Sequence, residues 1–228
     1  MLRRALPVLL LLASAPALAI SEVRVSAQET NRPNTFALEA SATIEASALA
    51  ARHAILRQCQ DKNMSRSLQY CRMFRKDGNR TWNYSISKYP LLSPRDVVLE
   101  RVIPTDLDEA GTGTFRMEWK LTQEPGLGVR AGHVRPPVYE GFWIVEALPG
   151  GKRSRATYRA ALNPGGYIPV FVMQWATRHG IPATLEKLEE VAQEKEKQGK
   201  LMIPVKDDPW AGLEILPLEN TITGEMKK

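Results

Sequence analysis

"NPGGYIPVFVMQWATRHGIPATLEKLEEV", residues 163–191, places a Pro-Gly-Gly reversal ahead of an unusually apolar run that opens at a second proline. Asn163, Pro164, Gly165 and Gly166 are residue types that end a strand and turn the chain. Pro169 suits the first turn of a helix, where its missing N–H costs nothing, so the pattern predicts a long helix over 169–198. Ile168, Val170, Phe171, Met173 and Trp175 crowd its start, and Gly180 and Pro182 bend or interrupt it. Ile181, Leu185, Leu188 and Val191 then carry an apolar stripe into the solvated "EEVAQEKEKQGK". A helix this apolar needs a surface to cover.

Working back toward the N-terminus, that surface is read from period-two alternation, which puts every second side chain on one face of a sheet. "FALEASATIEA" sets Phe36, Leu38, Ala40, Ala42 and Ile44 against Glu39, Ser41, Thr43 and Glu45, and a short strand from Glu22 to Gln28 precedes it across "TNRPN". From Ala46 to Gln60 the period becomes helical, with Leu49, His53, Leu56 and Cys59 on one side. Six more strands follow, near 67–76, 81–88, 96–103, 113–121, 138–147 and 153–162, separated by turns rich in Gly, Pro, Asp and Asn. The expected fold class is α+β, about eight antiparallel strands with the long C-terminal helix as their cover. Residues 199–228, with Pro204, Pro209, Trp210 and Pro217, read as an extended tail with no period of its own.

The first 19 residues, "MLRRALPVLLLLASAPALA", combine two arginines, a short apolar stretch and an Ala-Leu-Ala ending, as signal peptidase substrates do. The expected cut follows Ala19, leaving one domain over 20–198 and the tail, in a periplasmic or secreted location. Ile20 rather than cysteine follows the cut, so a lipid-modified amino terminus is not indicated. Without Arg3 and Arg4 the chain holds 29 basic and 25 acidic side chains, with eight Lys/Arg against two Asp/Glu between Arg52 and Arg80. In an exported chain such a stretch meets lipid headgroups rather than nucleic acid; a mixed-charge solvated surface is the other reading. Cys59 and Cys71 form a disulfide in an oxidising compartment, with two unpaired thiols as the alternative.

Two stretches taken together, "YPLLSPRDVVLERV" (89–102) and the opening segment, resemble the START domain, the lipid-transfer domain of the helix-grip superfamily. Arg95-Asp96 matches an Arg-Asp pair at a strand start, and Pro164, Gly165, Gly166, Ile168 and Pro169 match a Pro-Gly-Gly-x-Ile-Pro signature. "GVRAGHVRPPVYEGFWIVEAL" is similar to the family's Gly-Val-Arg stretch, and the likeness runs from about 22 to 192. The resemblance implies a helix-grip fold, a bacterial secreted member, and one lipid held between a curved sheet and the C-terminal helix, with no cofactor and no chemistry. The leading helix of longer members has no counterpart, and the tail is additional.

Arg101 shares a strand face with Val97, Leu99 and Ile103; if that set faces inward, a guanidinium lies among apolar neighbours, where it needs a polar partner. If not, Arg101 stands on the solvated face. The resemblance implies a pocket arginine six residues after Arg95, paired in sterol-binding members with a carboxylate on the preceding strand. Here that strand, "TWNYSISK", has no acid, which favours a ligand bringing its own polar or anionic head. Trp82, Tyr84, Trp119, Trp143 and Tyr158 are expected inward, lining a cavity or filling an ordinary core; Met117 and Met173 suit a pocket that repacks around a flexible ligand, or plain gap-filling. "TQEPGLGV" corresponds to a loop at the tunnel mouth, where Gly126 and Gly128 give mobility and Leu127 is placed to dip into a membrane; a simple hairpin connection is the other reading.

His53, His133 and His179 are scattered without metal-ligand spacing, no Gly-x-Ser-x-Gly elbow is present, and "DLDEAGTG" reads as a turn rather than a calcium loop. Arg95 is expected to brace the sheet through an ion pair. The sequence therefore points to a monomeric, non-catalytic carrier of a lipid or other hydrophobic molecule, with transient membrane contact, no nucleic acid and no metal. A cyclase- or hydrolase-type enzyme on the same fold and an envelope interaction module with a collapsed cavity are the rivals.

Overall fold

The period-two stretches become one antiparallel sheet in the computed structural model, which describes residues 23–28, 30–61, 67–89, 92–166, 168 and 179–218. Its strands are β1 (Arg24–Gln28), β2 (Phe36–Ile44), β3 (Leu68–Asp77), β4 (Arg80–Ser87), β5 (Arg95–Thr105), β6 (Thr114–Leu121), β7 (Val138–Ala147) and β8 (Ser154–Asn163). They lie in the order β1-β2-β8-β7-β6-β5-β4-β3. The last six form a meander that returns to β2, so the long connection is the one from β2 to β3 at the far edge. Helix α1 (Ala48–Leu56) makes it. Residues 1–19 and 169–178, and with them the expected signal peptide, the helix start and Met173, lie outside the described residues.

Helix α1 begins where Ser47 Oγ accepts a hydrogen bond from the Ala50 N–H at 3.3 Å. Ala48, Ala50, Ala51 and Ala54 are all buried, and their small side chains let the helix lie close against its neighbours. The expected span of 46–60 is shorter as α-helix and finishes in a 3-10 turn, Arg57–Cys59. A disulfide joins Cys59 to Cys71 of β3 with the Cα atoms 5.0 Å apart, tying the end of α1 to the outermost strand.

The C-terminal helix, α2 (Ile181–Gln198), has Pro182 in its first turn and stops at Gly199, whose φ of 67° is left-handed. Its stripe of Ile181, Leu185, Leu188, Val191 and Ala192 is buried against α1 and β2, as the periodicity predicts. Glu189, also buried, accepts the Glu45 N–H at 2.9 Å and so locks the end of β2 under α2. The face of the sheet carrying both helices is called inner here. No helix among the described residues is long and apolar enough to cross a membrane.

A second, smaller core lies on the outer face. Tyr84, Ile86, Val98 and Leu127 pack together there, with Tyr70, Phe74 and Leu218 against them. Fully buried Asp96 fixes the overlying 122–137 loop: it accepts from Arg135 Nη2 at 2.8 Å and from the Arg130 N–H at 3.1 Å. Residues 199–218 contain no helix or strand, yet they are not loose against the fold: Trp210 is buried in the main core.

Candidate ligand-binding site

Strand β5 points Val97, Leu99, Arg101 and Ile103 inward, so Arg101 lies among apolar residues with 1% of its surface exposed. Across the ladder it faces Thr81 of β4 and Trp119 of β6, side chains that share its face because paired residues in an antiparallel ladder do. Its Nε, Nη1 and Nη2 have no hydrogen-bond partner among the described residues. The Trp210 ring lies 5.2 Å from its Cζ, a cation–π contact that returns only part of the lost hydration. Burial pulls the guanidinium down to about 10, so it still carries its charge at neutral pH. Around it Thr81 Oγ1, Asn83 Oδ1, Trp119 Nε1 and Trp210 Nε1 are likewise buried and unpaired. Donors outnumber acceptors, the imbalance that an anion or a polar oxygen corrects.

Beside Arg101 an aromatic row runs across β6, β7 and β8. Trp119 stacks on Tyr158 with centroids 5.5 Å apart and also contacts Tyr139 at 6.1 Å, while Trp143 meets Tyr158 at 4.6 Å. The Trp119 ring lies over Gly141, where a Cβ would come within 2.5 Å of it and 2.1 Å of the Arg159 carbonyl oxygen. Glycine makes this row possible. The Tyr158 hydroxyl hydrogen-bonds to that of Tyr139, and burial pushes both phenols up, Tyr139 to about 12.

Accessibility divides this face. Ala42, Ile44, Phe115, Met117, Val145 and Ala156, toward the helices, are buried. Leu38, Leu121, Tyr139, Tyr158, Ala160 and Leu162, on the same face at the other end, are only half-buried and retain surface for a ligand to cover.

Of the expected site residues, Arg101, Met117, Trp119, Trp143 and Tyr158 are brought together on this face. Trp82 and Tyr84 are not. The inward phase of β4 is the reverse of that expected: Thr81, Asn83 and Ser85 pair with inward residues of β5, whereas Trp82 and Tyr84 pair with Glu100 and Val98 on the outer face. There Arg75 covers the Trp82 ring at 4.0 Å, and Tyr84 donates to Asp96 at 3.4 Å. Leu127 of the expected gate loop does not project either, being 4% exposed in the outer core. Arg135 donates to its carbonyl and to that of Gly128, both at 2.9 Å, leaving Val129 as the loop's exposed apolar side chain at 53%. Gly126 is exposed with a φ of 84°. Among the described residues Arg95 braces the turn through carbonyl oxygens of Ser93, Pro164 and Gly165 and makes no ion pair, joining the two stretches that carried the resemblance. Sequence reasoning missed Thr81, Asn83, Tyr139 and Trp210. For Trp210 the available signal was the cost of leaving the segment's one indole exposed to water.

An eight-stranded antiparallel sheet with α2 as its cover is also the architecture of solved lipid-transfer domains. A STAR-related lipid transfer protein fragment from Xanthomonas axonopodis superposes with a TM-score of 0.61, at 18% identity, over 77% of this chain and 98% of that one. The chain has the START, or helix-grip, fold. Human StAR-related lipid transfer protein 5 superposes on this chain with a TM-score of 0.64, at 13% identity, over 78% of this chain and 87% of its own. In sequence, human phosphatidylcholine transfer protein is 34% identical over 107 residues, 46% of this chain and 49% of the relative. The chain thus matches about half the length of the phosphatidylcholine transfer proteins it resembles. No protein-family model matches the sequence.

Proposed function

We propose that this START-fold protein binds one lipid against the inner face of its sheet and carries it through the periplasm. The observation that carries the reading is Arg101, a charged guanidinium held without a hydrogen-bond partner among the described residues, beside an aromatic row that retains accessible surface. An unpaired buried charge costs several kcal/mol, a cost a fold tolerates where a ligand later meets the charge. The proteins it matches in sequence are named phosphatidylcholine transfer proteins, which supports the same class of ligand. The half-buried Leu38, Tyr139, Ala160 and Leu162 offer the apolar wall for an acyl chain, and the donor cluster at Arg101 takes the head. Chemistry on the ligand is not part of the reading: Tyr139 and Tyr158, the titratable neighbours of the row, have phenols pushed away from neutrality.

Native mass spectrometry of protein purified from its own host, followed by extraction of the bound material, tests this. The expected result is one lipid per monomer and an amino terminus at Ile20. A chain that is consistently empty favours the envelope-interaction reading instead. Arg101→Leu is expected to retain its fold and lose most of the polar-headed lipid; unchanged retention removes Arg101 from the site.

A further inference from the structure

Residues 199–218 form a strap along the β3 edge of the molecule, tied at intervals by polar contacts. Arg52 donates to the carbonyls of Met202 at 3.1 Å and Pro209 at 2.9 Å while its other edge is held by Asp106. The Met202 N–H donates to His53 Nδ1 at 3.0 Å, Lys76 pairs with Asp208 at 2.6 Å, and the Leu216 N–H donates to the Met73 carbonyl at 2.9 Å. Between these ties Trp210 enters the inner face, fully buried, and its ring stands in front of the Arg101 guanidinium.

The indole is a poor partner for that position. It offers Arg101 a π-face but no acceptor atom, and among the described residues its own Nε1 has no partner, like the three guanidinium nitrogens. A phosphate or carboxylate supplies what is missing, acceptor oxygens for Arg101 and for the neighbouring indole N–H and hydroxyl donors. With the ring docked Arg101 is 1% exposed, so a head has no open approach to the guanidinium.

We infer that Trp210 competes in cis with the ligand's head for Arg101, so that the docked strap and a seated head exclude each other and Trp210 decides which heads are admitted. This rests on the lipid-binding reading above and adds a selectivity rule: an anionic head displaces the indole, and a head with no anionic group does not. The ties at Met202, Asp208 and Leu216 are what each admission must break.

Amide hydrogen exchange of the full chain tests this without any substitution, with phosphatidylglycerol vesicles, dioleoylglycerol in non-ionic detergent, and inorganic phosphate as probes. Phosphatidylglycerol is expected to speed exchange at Met202 and Leu216 about tenfold while β5 is unchanged, and dioleoylglycerol to leave all of them protected. Opening by inorganic phosphate alone supports the competition and identifies a soluble anion as the occupant. Trp210→Ala is expected to take up phosphatidylglycerol several-fold more readily, with Trp210→Phe, which keeps a ring over the guanidinium, between it and the unsubstituted protein. Uptake of phosphatidylglycerol, read as added mass, with the strap amides still protected overturns the competition and leaves lipid carriage standing. No added mass with any lipid overturns carriage, and the competition with it.

Discussion

At the Ile44–Phe115 end of the inner face the sheet meets α1 and α2 across alanines, with Leu185 and Leu188 seated tightly between them; at the Leu38–Tyr139 end the same strands present larger side chains that remain half-buried. The strands are continuous, so backbone conformation does not explain the contrast. Side-chain size does. Ala40, Ala42 and Ala156 let helices approach and expel water at one end, while Tyr139, Tyr158 and Leu162 form a wall without close cover among the described residues at the other. Stability is concentrated where the face is packed, and the proposed lipid contact where it is not, with Arg101 at the boundary.

Removing side-chain volume at each end breaks or sharpens that contrast most strongly. Leu188→Ala, which leaves a hole between helix and sheet, is expected to lower unfolding free energy by about 2–5 kcal/mol in urea titrations. Leu162→Ala should cost less than about 1 kcal/mol and show itself in lipid retention instead. Equal losses at the two ends would mean the face is uniformly packed. Next in size is the Cys59–Cys71 bridge, which ties the turn after α1 to β3: its reduction is expected to cost about 2–3 kcal/mol, measured by thermal unfolding with and without reductant.

Arg101→Leu probes the boundary. With no hydrogen bond to a described residue to lose and a buried charge removed, the ligand-free protein is expected to be unchanged or more stable by about 1 kcal/mol. A large destabilisation would show that Arg101 is structural. The smallest effect concerns pH. Burial holds His53 down to about 4 from its usual 6.5, reinforced by Arg57, Lys195 and Arg52 and opposed by Asp61, and its Nδ1 must be unprotonated to accept the Met202 N–H. A pKa lowered on folding means that protonation favours the form in which His53 is exposed. The stabilisation is therefore complete above about pH 6.5 and lost as pH falls toward 4. Exchange protection at Met202 should decline across that window while protection in β6 persists; His53→Gln should flatten the profile.

Periodicity made nearly all of the architecture legible, because each strand from β6 to β8 buries one face against α1, α2 or the inner core and leaves the other wetter. It misled at β4, where both faces are covered: the helical side buries Thr81, Asn83 and Ser85, and the 122–137 loop with Leu218 covers Tyr84 and Ile86. When neither side of a strand is wet, the larger side chains no longer mark the interior. Arg101 was legible because a cation in an apolar phase has few explanations. Trp210 was not, since its burial depends on carbonyl contacts to Arg52 from more than a hundred residues earlier, which leave no local period.

The hydrogen bond from Leu216 to Met73 has a further consequence. Strand β3 is the last of the sheet, and an uncovered terminal strand is a template for pairing with a second molecule. The strap hides that template. If the strap lifts to admit a head, as inferred above, that edge is bared, so crowding at such moments would draw neighbouring copies together along β3, and rapid re-docking would keep the molecule from clumping.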